Sequence, residues 1–353
     1  MLLRITKSTK EHINKKMKIV VTGGLGFIGS HTVVELQNEG FEVVAIDNLS
    51  NSSESVLDGI FNITGKKPIF EKMDLRDKAS VQNFFKKHSD VAGVIHFAAS
   101  KAVGESVENP LLYYENNISA LVYILQELAA LPSANFIFSS SCTVYGQAEK
   151  MPITEDAPVQ QAMSPYGNTK QIGEEIITDV AKVTNLNSIL LRYFNPIGSH
   201  PSAEIGELPL GVPQNLVPFI TQTAIGLREK LSVFGSDYPT ADGTAVRDYI
   251  HVVDLAKAHV VAMKRLLEKQ NLDKVETFNL GTGKGSTVLE VITAFEKVSG
   301  QKLNYQIVGR REGDITEAYA NTDKANDVLG WKAQSSLEDS LASAWKWEQK
   351  IRS

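Results

Sequence analysis

The chain predicts an α/β protein built on a doubly wound parallel sheet, with a smaller mixed α/β lobe attached. Three observations lead there. From Met17 onward, short Val- and Ile-rich runs alternate with helix-length segments, the pattern of strands joined by right-handed helical crossovers. A glycine-rich run follows the first of those strands directly and opens a helix. An acidic residue, Asp47, ends the second strand about 20 residues further on, where such a side chain meets ribose hydroxyls. Strand, glycine loop and helix in that order make the sheet Rossmann-type.

Taken along the chain, residues 1–16 are polar and basic, with no apolar core of their own. They read as a disordered extension, or as the result of a start codon placed upstream of Met17; Glu11 and the lack of an Arg-rich pattern count against a transit peptide. Strands are expected at 18–22, 42–46, 68–73, 93–97, 135–138, 188–193 and 277–280, and helices at 27–38, 77–87, 117–131, 165–184 and 253–269. Continuous Val and Ile in the first strands imply burial on both faces. After Asn195 the pattern loosens into Pro- and Gly-rich loops. Residues 17–195 therefore read as the nucleotide-binding domain, and 196–247 with 284–353 as a second lobe that binds substrate. Residues 248–283 read strand, helix, strand and are expected to return to the sheet. No internal repeat or low-complexity segment interrupts the chain.

Composition narrows the function. A formal net charge of -5 over 353 residues gives no reason to expect nucleic acid or an anionic membrane as partner. No apolar run approaches the ~18 residues of a membrane span, so a soluble protein is expected. The one cysteine, Cys142, rules out an internal disulfide framework and a cysteine metal cluster, which fits the cytoplasm. No metal site is expected.

The glycine run Gly23-Gly24-Leu25-Gly26-Phe27-Ile28-Gly29 can be read as G-x-G-x-x-G from Gly24 or as G-x-x-G-x-x-G from Gly23. Either way the glycines allow a tight turn and let backbone N–H groups approach a pyrophosphate at a helix N-terminus. Asp47 repels a 2′-phosphate and no Arg follows it at once, which favours NAD over NADP. The same aspartate is also a residue type that starts turns. Asp74-Leu75 and Phe97-Ala98 end the third and fourth strands, so all these positions converge on one crevice at the carboxyl ends.

The reacting centre is read between Ser139 and Lys170. Tyr166 and Lys170 are four apart and share a helix face, so the ammonium sits near the phenol and lowers its pKa from about 10. Ser141 closes the preceding strand within reach of the same substrate oxygen. Such a pair is also an ordinary solvated surface feature, yet Tyr166 alone among the ten tyrosines has a lysine four residues on.

With Gly23-x-x-Gly26-x-x-Gly29, His96-Phe97-Ala98-Ala99, the run Ser139 to Gly146, Tyr166-x-x-x-Lys170 and Arg192-Tyr193-Phe194-Asn195-Pro196, the chain resembles the extended short-chain dehydrogenase/reductase family. It is most similar to that family's nucleotide-sugar 4-epimerases, through the stretches 101–106, 237–240, 246–252 and 311–314, and the likeness spans residues 17–350. The resemblance implies NAD held throughout turnover. Tyr166 would exchange a proton with the 4′-hydroxyl of a UDP-hexose, through a 4-keto sugar that turns over in the pocket and links UDP-galactose with UDP-glucose. Lys170 would hold the cofactor ribose and tune Tyr166, and Ser141 would steer the hydroxyl. Besides Phe27, Ile28, Phe97 and Ala98, it implies cofactor contacts from Asp47, Asn48, Asn51, Ser52, Asp74, Leu75, Lys101, Asn116 and Phe194. For substrate it implies Asn195, Asn215, Phe234, Arg247, Arg311 and Asp314. The residue types suit this: two guanidiniums clamp a diphosphate and a carboxylate accepts from ribose hydroxyls. Without the resemblance each Arg reads as a surface ion-pair residue, and Asn215 as a helix cap.

Two positions discriminate within the family. Dehydratases of this kind carry an acid and a base where this chain has Cys142 and Thr143, which cannot replace them. A bulky Tyr closes the hexose pocket where this chain has Ala318, so activity on UDP-N-acetylglucosamine and UDP-N-acetylgalactosamine is expected as well. The apolar face of 117–131 reads first as packing on the sheet; the resemblance adds pairing with its twin in a homodimer. The competing readings are another NAD-dependent nucleotide-sugar oxidoreductase or dehydratase, and a non-catalytic NAD-binding protein.

Overall fold

The computed structural model describes residues 17–311 and 314–353; the expected extension at 1–16 lies outside the described residues. Seven parallel strands form the central sheet: β1 (Lys18–Thr22), β2 (Glu42–Asp47), β3 (Ile69–Lys72), β4 (Val91–His96), β5 (Ala134–Ser141), β6 (Leu186–Tyr193) and β7 (Val275–Leu280). From edge to edge they run β3-β2-β1-β4-β5-β6-β7, each neighbouring pair parallel. The order reverses beside β1, which opens a crevice at the carboxyl ends of β1 and β4.

Strand alternation explains the two apolar layers. In β1, Ile19 and Val21 enter one layer with Val33 and Leu36 of helix α1 (Phe27–Asn38), while Val20 enters the other with Leu121 and Ile124 of helix α2 (Ala120–Ala129). All three β1 residues are fully buried, and each such side chain contributes about 1.5–3 kcal/mol. Helix α3 (Pro165–Val183) lies on the α2 side, through Ile177 and Ala181. Its close approach needs Gly173, where a Cβ would meet the Phe138 ring at 2.7 Å. Helix α4 (Val252–Leu267) packs on the α1 side through Leu255, Ala258 and Ala262.

The helix expected over 117–131 differs in its first turn. Glu115–Ser119 is wound as a π-helix, and α-geometry runs only from Ala120 to Ala129. The wider turn brings two successive amides onto Ser100: Asn116 donates to its Oγ (3.1 Å), and Asn117 accepts from its N–H (2.8 Å) and donates to its carbonyl (3.0 Å).

The second lobe is assembled from short pieces. Leu231–Phe234 pairs with Tyr305–Val308, and Val246–Arg247 lies between Ser286–Thr287 and Glu317–Ala318. Its core joins Val217, Ile220, Val233, Val291, Phe295 and Leu341. Helices Val288–Ser299 and Leu337–Arg352 each begin with a reciprocal capping box, Thr287 with Glu290 and Ser336 with Asp339. Among the described residues no helix is long and apolar enough to cross a membrane, and no three His, Cys, Asp or Glu side chains group as a metal site.

Three histidines are buried without a charged partner. His31 meets the Phe27 carbonyl at 2.7 Å, His259 the Leu255 carbonyl at 2.8 Å and His96 the Thr22 hydroxyl at 2.8 Å. Burial pushes His31 and His96 down to about 3 and His259 to about 4. All three values lie below the unfolded 6.5, so the unfolded chain takes up these protons first and stability falls as pH drops through 6.5. The unfolding free energy from denaturant titrations between pH 6.5 and 5 should therefore decline, by about 2 kcal/mol for each histidine, before most carboxylates titrate. His259→Phe should reduce that slope.

Candidate active site

The glycine loop is closed by its own backbone. Gly26 N–H donates to Gly23 O at 3.1 Å, and Gly24 N–H reaches Ile46 O at 3.1 Å. A Cβ on Gly29 would lie 2.1 Å from the Gly23 carbonyl, so only glycine lets α1 start this close to the loop. No side chain caps α1 at Gly26 and no acidic residue sits in its first turn, Phe27 and Ile28 included. That leaves a helix N-terminus suited to an anionic pyrophosphate, and the loop fits a dinucleotide.

Asp47, at the end of β2, carries both properties read from its sequence. Its Oδ1 accepts from Leu49 N–H (2.9 Å) and the Ser52 hydroxyl (2.7 Å), which forms the turn through Asn48 to Asn51. Its Oδ2 accepts from Leu25 N–H at 3.1 Å and fastens the glycine loop, with a lone pair left for a hydroxyl. Beyond β3, Asp74 is clamped by Arg76 (2.7 Å), whose guanidinium holds the carboxyl below its usual range, and Leu75 is buried beside it. Phe97 and Ala98 follow β4: Phe97 N–H donates to Thr22 O, Ala98 N–H to the Thr22 hydroxyl, and the Phe97 ring rests 4.6 Å from His259.

The three serines that end β5 each hold a different element. The Ser139 carbonyl accepts from Lys170 Nζ at 2.6 Å, and the Ser139 hydroxyl meets Tyr193 at 2.5 Å. The Ser140 hydroxyl donates to Glu174 at 2.5 Å. The Ser141 hydroxyl accepts from Thr143 N–H at 3.2 Å as the chain turns into the short helix Cys142–Tyr145. Opposite them, Ser164 caps α3 and Pro165 starts it, so Tyr166 falls in its first turn and Lys170 one turn later. Both are buried, and the Lys170 ammonium lies 5.8 Å from the Tyr166 ring centre and 4.9 Å from that of Phe138.

One expectation needs correction. Among the protein groups alone, Tyr166 is raised well above the ordinary phenol value, chiefly by burial; Tyr193 adds to the rise and the Ser141 hydroxyl opposes it. Burial also pushes Lys170 down to about 8, with Glu174 pulling it back up. The spacing of four brings the two side chains together, but desolvation decides their ionisation.

Phe194 is buried after β6, and Asn195 begins a short strand, Asn195–Ile197, paired with Tyr249–His251. Arg247 donates to Asp314, to Ile315 O (2.8 Å) and to its neighbour Val246 O (2.7 Å), so this guanidinium and carboxylate form one unit. Arg311 is exposed and stacks over the Phe234 ring at 4.6 Å, and its carbonyl accepts from Asp314 N–H at 3.2 Å. Asn215 occupies the N-cap position of Leu216–Ala224 without capping it; its amide reaches Glu207 at 2.7 Å, and Lys101 approaches the same oxygen at 3.4 Å. Ala318 is buried in an apolar cluster with Val144, Tyr145, Ile153, Phe194 and Ala320.

Several residues of this centre are not singled out as site residues by the sequence: Asn117, which joins Ser100 to the Thr169 hydroxyl (3.0 Å), Glu207, Glu174 and Arg192, the last present in a family motif but given no role. Ser100 and Thr169 lie 17 and 52 residues from Asn117, Lys101 lies 106 from Glu207, and Glu174 and Arg192 are 18 apart, so no local pattern marks these contacts.

A family model described as GDP-mannose 4,6 dehydratase matches residues 20–344. The UDP-glucose 4-epimerase of Bacillus subtilis is 50% identical, over 94% of this chain and 97% of its own. That of Mus musculus is 48% identical, over 94% and 96%. Among solved structures, the Stenotrophomonas maltophila UDP-glucose-4-epimerase with bound NAD and formylated UDP-arabinopyranose superposes with a TM-score of 0.91 at 46% identity, over 95% of this chain and 99% of that one. The UDP-Glc/GlcNAc 4-epimerase of Campylobacter jejuni does so at 0.81 and 33%, over 95% and 99%. The chain belongs to the extended short-chain dehydrogenase/reductase family, and it is an enzyme. Within that family it falls among the UDP-glucose 4-epimerases, which are isomerases.

The loop geometry makes a direct prediction. Gly29→Ala must displace Gly23, so dinucleotide retained after gel filtration, read by absorbance, should fall at least about tenfold in affinity while the far-UV spectrum is unchanged.

Proposed function

We propose that this chain interconverts UDP-galactose and UDP-glucose with NAD as a resident cofactor, and accepts UDP-N-acetylglucosamine and UDP-N-acetylgalactosamine as well. The observation that carries the reading is the convergence of Tyr166, Lys170 and Ser141 at the end of β5, on the same carboxyl edge of the sheet as the glycine loop after β1. NAD, when bound, would supply reversible hydride-transfer chemistry at C4′. Tyr166 takes the proton of the 4′-hydroxyl and returns it after the sugar has turned over. Its raised value means that ionisation depends on nearby positive charge, so Lys170 must stay protonated while Tyr166 is ionised. Ser141 orients the hydroxyl.

For the cofactor we assign Gly23, Gly26, Phe27, Ile28 and Gly29 to the pyrophosphate, Asp47 to the adenosine ribose and Lys170 to the nicotinamide ribose. Asn48, Asn51, Ser52, Asp74, Leu75, Phe97, Ala98, Lys101, Asn116 and Phe194 line its channel. For the nucleotide sugar, Arg247 and Arg311 take the diphosphate and Asp314 the ribose, with Asn195, Asn215 and Phe234 around them. Residues 17–195 with 248–283 then serve as the cofactor domain, and 196–247 with 284–353 as the sugar-nucleotide lobe. A dehydratase reading is disfavoured by Cys142 and Thr143, which offer no carboxyl pair. The single thiol suits the cytoplasm, where fractionation should find the protein.

Support for the broader substrate range is the small side chain at Ala318 and the existence of a relative, from Campylobacter jejuni, named for both Glc and GlcNAc sugars. In a coupled assay converting UDP-galactose to UDP-glucose, Tyr166→Phe should lose about two to four orders of magnitude. An undiminished rate would remove the mechanism. The same preparation should turn over UDP-N-acetylglucosamine, and Ala318→Tyr should abolish that activity while sparing the hexose pair; no N-acetylhexosamine turnover in the unaltered enzyme defeats the broader range.

We also propose a homodimer built on the region of α2. The inner face of α2 is spent on the sheet through Leu121, Ile124, Leu125 and Leu128, but Val107, Leu111 and Leu112 just before it are exposed, Leu111 at 81%. Sedimentation at micromolar concentration should give a dimer, and Leu111→Asp should weaken it.

A further inference from the structure

One contact between α3 and the strand end lies beyond the reacting pair. Glu174 follows Lys170 by one turn, as Lys170 follows Tyr166, so the three side chains share one face of α3. Its carboxylate is buried and fully engaged: it accepts from the Ser140 hydroxyl (2.5 Å), from Arg192 Nε (2.9 Å) and from Arg192 Nη2 (2.6 Å). Arg192 reaches in from β6, is itself only 7% exposed, lies 4.8 Å from the Tyr145 ring centre and donates to Glu155 O at 3.4 Å.

A buried bidentate pair of this kind costs several kcal/mol to desolvate, and apolar side chains of similar size stabilise as well or better. Its placement gives another reason for it. Ser140 stands between Ser139, which holds Lys170, and Ser141, which faces Tyr166. We infer that Glu174 is a positioning residue for the epimerase reaction: it sets α3 in register with Ser139–Ser140–Ser141 and supplies the negative charge that faces the Lys170 ammonium. Around that ammonium stand His96 of β4, the Phe138 ring of β5, and Tyr166 and Glu174 on α3, with Arg192 of β6 bonded to Glu174. Burial keeps His96 neutral, and among the protein groups alone it keeps Tyr166 protonated. Arg192 offsets the charge of Glu174, so the pair together sets the field at Lys170.

The inference rests on Tyr166 and Lys170 being the reacting pair, and the experiment separates the two ideas. The dependence of kcat/KM on pH is measured for the NAD-loaded unaltered enzyme, Glu174→Gln, Arg192→Gln, the double variant and Tyr166→Phe, each with its melting temperature. Loss of the protonated lysine as pH rises forms the alkaline limb. Glu174→Gln should move that limb down by about one pH unit, Arg192→Gln should move it up, and the double variant should return it towards the starting position. A folded single variant with an unmoved limb, whose rate loss merely follows its melting temperature, overturns the inference. Should Glu174→Gln fail to melt cooperatively, the upward shift in Arg192→Gln decides alone. A fully active Tyr166→Phe rejects the reading of the centre itself, whereas an inactive one with unmoved limbs in the other variants rejects only the role of Glu174.

Discussion

The site depends on an ammonium group held away from water. Lys170 is 4% exposed and hydrogen-bonds no carboxylate; a main-chain carbonyl, an aromatic face and the electrostatic reach of Glu174 are what the protein provides. Burying such a charge is expensive, and a chain selected for stability alone would not retain it. That one requirement accounts for much of the surrounding architecture. β5 must stop at Ser141 so that its last carbonyls and hydroxyls face α3, Gly173 must be small so that α3 comes close, and Ser164 with Pro165 must start the helix where Tyr166 enters its first turn.

A second buried charge ties three segments of the chain together. Asp248 is fully buried and accepts from Thr282 N–H (2.8 Å), the Thr282 hydroxyl (2.7 Å), Gly283 N–H (3.1 Å) and Ala320 N–H (3.2 Å). One carboxylate thus joins the loop after β7, the strand that bears Ala318 and the strand that bears Arg247. The strand that bears Arg247 and the segment that follows Ala318 are therefore held by one anchor.

Much of this is legible in the sequence, for a physical reason. β1 and α1 fall where periodicity puts them, and the other sheet strands depart from the expected ranges by a few residues, because a strand buried on both faces must be continuously apolar. The glycine loop and Asp47 are likewise local, since turn, helix start and acidic partner lie within one βαβ unit. What escapes is tertiary. Strands of two residues, such as Val246–Arg247 and Glu317–Ala318, have no period to detect. The π-turn at Glu115–Ser119 arises from Ser100, a residue on another loop. The ionisation of Tyr166 follows from its burial, which a spacing of four residues does not reveal.

The order in which strands enter the sheet bears on how the chain is made. β6 lies beside β5 on one side and β7 on the other, yet β7 is separated from it by a lobe's worth of polypeptide. During synthesis the ribosome therefore presents six strands with an open hydrogen-bonding edge at β6, including Ile189 and Leu191, until Leu280 has cleared the exit tunnel. The nascent protein passes through a long interval in which that edge invites pairing with other chains, and its safe passage depends on chaperone cover or on rapid elongation through the second lobe.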